Sequence, residues 1–110
     1  YLLRRQGGLD RLEAGGPALG LLGDADFEEG EARFEAGDTL ALVTDGATEA
    51  MSPGDEELLG DAGVCRALRS ASGGSAEDQL AALLAAVQAW TGPAGCSDDL
   101  TAVILKAEEA

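Results

Sequence analysis

Histidine is missing from all 110 residues, and its absence removes several kinds of chemistry at once. Without imidazole the chain cannot assemble a Ser-His-Asp triad, a Cys-His pair or an ordinary zinc site with histidine ligands. Cysteine is scarce: Cys65 and Cys96 stand too far apart for a CxxC motif. Neither belongs to a secreted disulfide scaffold, so both are read as reduced, cytosolic thiols with no pairing between them. The aromatics are Tyr1, Phe27, Phe34 and Trp90, which leaves the core to aliphatic side chains and alanine. Long apolar runs are lacking too. The longest, around Leu80 to Trp90, is interrupted by Gln88 and falls well short of the roughly 20 residues of a membrane span.

Basic residues are few, seven against 21 acidic ones, for a net charge of −14. Such a balance repels phosphate backbones and anionic headgroups, so neither nucleic acid nor a membrane is an expected partner of this segment. The excess carboxylate attracts divalent cations and basic protein surfaces, or serves solubility alone. The first residue is Tyr1 rather than Met, and an apolar run flanked by Arg4 and Arg5 follows at once, without the pattern of a signal peptide. The stretch is therefore expected to be cut from something longer. Hydrophobic residues make up 45%, enough to core one small domain or a piece of a larger one.

Tyr1 to Arg5 and Leu9 to Glu13 read as strands of a hairpin turned by Gln6-Gly7-Gly8. Gly15 to Gly20 breaks regular structure. Phe27 to Phe34 reads as an exposed strand leading through Ala36-Gly37-Asp38 into a second hairpin. Thr39 to Thr44 is apolar on both alternating faces, which predicts a central strand covered from both sides, and Leu100 to Leu105 has the same character. Between them, Asp61 is expected to cap a short helix burying Val64, Cys65 and Leu68. Ser75 should cap a longer one, with Leu80, Leu83, Leu84, Val87 and Trp90 on one stripe and Gly92-Pro93 at its end. Arg4 and Arg5 are read as facing solvent.

Two acidic positions adjoin the doubly apolar strands: Asp45 after the first and Asp98-Asp99 before the second. If those strands are antiparallel neighbours, the carboxylates meet at one rim. Clustered carboxylates there repel one another and resist desolvation, a conflict that a hard divalent cation resolves. Oxygen-only ligation favours Mg²⁺ or Mn²⁺, and Gly46 would let backbone or water come close to the ion. A plainer reading stands beside this one: Asp45-Gly46 is a turn and Asp98 caps a loop.

The order Leu40-x-Leu-x-Thr44-Asp45-Gly46-x-Thr48-Glu49-Ala50, followed about fifty residues later by Ser97-Asp98-Asp99-Leu100-Thr101, resembles the PPM or PP2C-like metal-dependent protein phosphatases in their bacterial SpoIIE/RsbU branch. Gly16-Pro17-Ala18-Leu19-Gly20 is similar to that family's Gly-x-Pro-Leu-Gly turn. Ala36-Gly37-Asp38 is similar to its Pro-Gly-Asp turn, with Ala36 in place of proline, and Tyr1 to Arg5 resembles the strand after its Asn-Ala-Gly-His segment.

The resemblance implies an α+β fold, the αββα four-layer sandwich of antiparallel sheets, with residues 1–110 as about the C-terminal half of the domain, truncated at the N-terminus. It implies Asp45 and Asp98 as metal ligands in a two-metal Mn²⁺ or Mg²⁺ site, with Gly46 and Asp99 beside them as supports or further ligands. A water acidified by the metals would attack phosphoserine or phosphothreonine on a regulatory protein such as an anti-sigma-factor antagonist. There would be no covalent phosphoenzyme, so no catalytic residue beyond the metal ligands is expected. Thr44 and Thr101 are expected to satisfy nearby acceptors, and Glu49 to support a ligand or cap the turn. Sensory domains would lie upstream in a cytoplasmic parent chain. The family's earlier aspartates would precede Tyr1, so this stretch alone is expected to be inactive. The alternatives are a pseudophosphatase, or an acidic interaction scaffold that binds without hydrolysis.

Overall fold

The computed structural model describes residues 1–54, 57–95 and 99–108. Four strands form one antiparallel sheet in the order β2-β1-β3-β4: β1 is Leu2–Leu3, β2 Leu9–Asp10, β3 Thr39–Val43 and β4 Ala102–Lys106. A single-turn helix α1, Asp45–Thr48, follows β3. Then come α2, Gly60–Ser70, and α3, Ala76–Thr91, which runs into a 3₁₀ turn at Gly92–Ala94.

The first hairpin forms as expected but shorter. Gly7, at φ 101°, turns the chain, the Gly7 amide donates to the Arg4 carbonyl and the Arg4 amide to that of Gly8. Strand β3 is central, between β1 and β4. The second hairpin is absent. Residues 27–34 make no strand; the segment folds back loosely, with the Glu28 amide on the Gly15 carbonyl and the Phe27 ring against Gly16. The reason is physical: Asp24, Asp26, Glu28, Glu29, Gly30 and Glu31 are poor strand formers. The edges of Thr39 to Ala41 are moreover already taken by β1 and β4.

Directly paired residues of antiparallel strands face the same way. Leu3, Thr39, Ala41, Ile104 and Lys106 therefore share one face, and Leu2, Leu40, Leu42, Val103 and Leu105 the other. The first face packs under the helices, where Leu3, Ala41, Val64, Leu68, Leu83 and Val87 form the core. The second face corrects the expectation that both central strands are covered on both sides. Leu42, Val103 and Leu105 remain 53%, 51% and 45% exposed, and β4 is an edge strand among the described residues. The molecule is accordingly a slab only 19 Å thick across its 42 × 40 Å breadth, one sheet and one helical layer.

Helix α2 buries Val64, Cys65 and Leu68 as the pattern predicts, and burial raises the Cys65 thiol above its usual range. Asp61 lies in its first turn without capping it. Helix α3 starts at a capping box: the Asp78 amide donates to Ser75 Oγ and the Ser75 amide donates to the Asp78 carboxylate. Its inward stripe is Gln79, Leu83 and Val87 with Trp90 partly buried, whereas Leu84 points outward. Trp90 packs as core, as expected, and its indole N–H donates to the Glu57 carbonyl.

Candidate functional site

Where β3 ends, Thr44 ties its loop to the segment entering β4. The Thr44 amide donates to the Thr101 carbonyl at 3.0 Å, and the Thr101 amide donates to Thr44 Oγ1 at 3.0 Å. The Thr44 hydroxyl lies 3.3 Å from each of the Asp99 and Thr101 carbonyl oxygens. The Thr44 hydroxyl thus takes the role expected of it, while Thr101 joins the clasp through its backbone.

Gly46 completes the junction. It is buried, and a Cβ built on it would lie 2.2 Å from the Asp99 carbonyl oxygen and 3.0 Å from the Leu100 Cα. No side chain fits that gap. The backbones on either side of Asp45 and Asp99 are thus pressed together at one end of the sheet, as antiparallel β3 and β4 require. Asp45 itself opens α1 and is exposed, Glu49 is an exposed C-cap of that turn, and Asp99 is exposed. Asp45-Gly46 is thus the start of a helical turn. Asp98, the second expected metal ligand, lies outside the described residues, as do Cys96 and Ser97.

Beside Asp45 a cavity of about 510 Å³ opens, bordered also by Thr48, Tyr1, Arg11, Leu42 and Asp61. Arg11 donates to Asp61 at 2.7 Å and pairs with Glu13 at 3.3 Å. The Tyr1 hydroxyl donates to the other Asp61 oxygen. Partial burial, and then the Asp61 carboxylate beside it, raise the Tyr1 phenol above its ordinary range. Sequence reading missed this trio. Its members are 50 and 60 residues apart, and no local spacing announces them.

Among the described residues no group of three or more acidic, cysteine or histidine side chains is placed to hold a metal ion. The donors that are present, Asp45 and the backbone around Gly46 and Asp99, are all oxygen, a donor type that suits a hard divalent cation. No described helix is long and apolar enough to cross a membrane.

The family model described as Stage II sporulation protein E (SpoIIE) matches residues 1–108. No curated protein and no solved structure matches the chain.

Proposed function

The chain belongs to the SpoIIE family of PP2C-like phosphatase domains, and from that premise we propose that it is the C-terminal part of a metal-dependent protein serine/threonine phosphatase. Its substrate is phosphoserine or phosphothreonine on a regulatory protein, such as an anti-sigma-factor antagonist. The single observation carrying this reading is the seating of Gly46 on the Asp99 backbone, which keeps the two acid-bearing loops in contact. Asp45 and Asp98 are the proposed metal ligands, with Asp99 and the Gly46 backbone in support. Mn²⁺ or Mg²⁺ bound there would acidify a water and offset charge on the phosphoryl oxygens.

The chain's own contribution is positional. Thr44 fixes the spacing of the two loops, and Gly46 leaves the backbone bare at their junction. Arg11, the cation bordering the cavity next to Asp45, faces an incoming phosphate while Asp61 and Glu13 hold its guanidinium. The bare sheet face at Leu42, Val103 and Leu105 supports the four-layer sandwich, because a second sheet would cover it.

One observation favours a binder without turnover: the net charge of −14 suits an acidic interaction surface for a basic partner. Hydrolysis of p-nitrophenyl phosphate by the full-length protein separates the two. We expect activity that requires manganese and that falls on the order of a thousandfold in Asp45→Asn and in Asp98→Asn, the loss of several kcal/mol of charge stabilisation. Unchanged turnover in both variants would remove these aspartates from the reaction.

A further inference from the structure

We draw no further inference here: the strongest candidate, the apolar groove that Leu59, Ala82, Ala85, Ala86, Ala89 and Trp90 line between α2 and α3, is a stripe of mostly small side chains with one exposed cation, Arg66, beside it, and nothing among the described residues shows what covers it.

Discussion

Asp38 carries more of the architecture than any other ionised side chain described. It is only 2% exposed, yet its two oxygens accept from the Glu35 and Arg5 amides at 2.9 Å and from Arg4 at 3.0 Å. Those backbone donors, then the guanidinium, hold its carboxyl below the usual range against the opposing effect of burial. A depressed folded value means that the stabilisation is complete above the unfolded value, about 3.9, and is lost as pH falls through the folded one. Urea midpoints should therefore drop below about pH 4 in the wild type and follow a flatter course there in Asp38→Asn. Identical acid profiles would show that Asp38 does not report on folding. Gly46 has an equally specific duty, and Gly46→Ala should cost roughly 1–3 kcal/mol as the Asp99 carbonyl is pushed aside. The same change should abolish turnover if the junction positions the metal ligands; full activity with an unchanged melting temperature would contradict the close approach.

Among the elements, those coded by neighbouring residues were legible. Ser75 followed by acidic residues announced α3, Gly7-Gly8 announced the first turn, and the Val64, Cys65 and Leu68 spacing announced α2. What depends on distant partners was not. Gln79 occupies a fully buried core position because Thr39 Oγ1 donates to its side-chain oxygen at 3.0 Å and its amide donates to the Leu68 carbonyl at 3.3 Å. It thereby pins α3 to both β3 and α2, a task invisible in a helical stripe of leucines. Gln79→Leu keeps the volume but strands two polar groups, and should destabilise by roughly 1–3 kcal/mol in chemical denaturation. A variant as stable as the wild type would mean those groups find other partners. The site divides in the same way. Asp45 and the Thr44 clasp followed from strand ends meeting, whereas the Arg11, Asp61 and Tyr1 cluster depended on how the hairpin lies against α2.

The molecule as a whole leaves one part of a sheet face apolar and half exposed among the described residues, at Leu42, Val103 and Leu105, while Leu2 on the same face is buried, and the sequence shows why the pattern misled. Alternating apolar residues on both faces of β3 and β4 signal burial on both sides, but within the described chain the helical layer covers one face and Leu42, Val103 and Leu105 on the other stay half exposed. If a second sheet covers Leu42 and Val103 in the longer protein, replacing them has opposite consequences in two settings. In the 110 residues alone, Leu42→Gln with Val103→Thr removes side chains that are half exposed, so folding stability should hardly change while self-association through the bare face declines. In the full-length protein the same pair should lose roughly 2–4 kcal/mol, about the burial energy of two aliphatic side chains. Sedimentation velocity on the short chain and denaturation of the long one read the two effects separately. Equal stability of the long protein with and without the substitutions would mean that this face meets solvent in the complete molecule, and the four-layer arrangement would have to be abandoned.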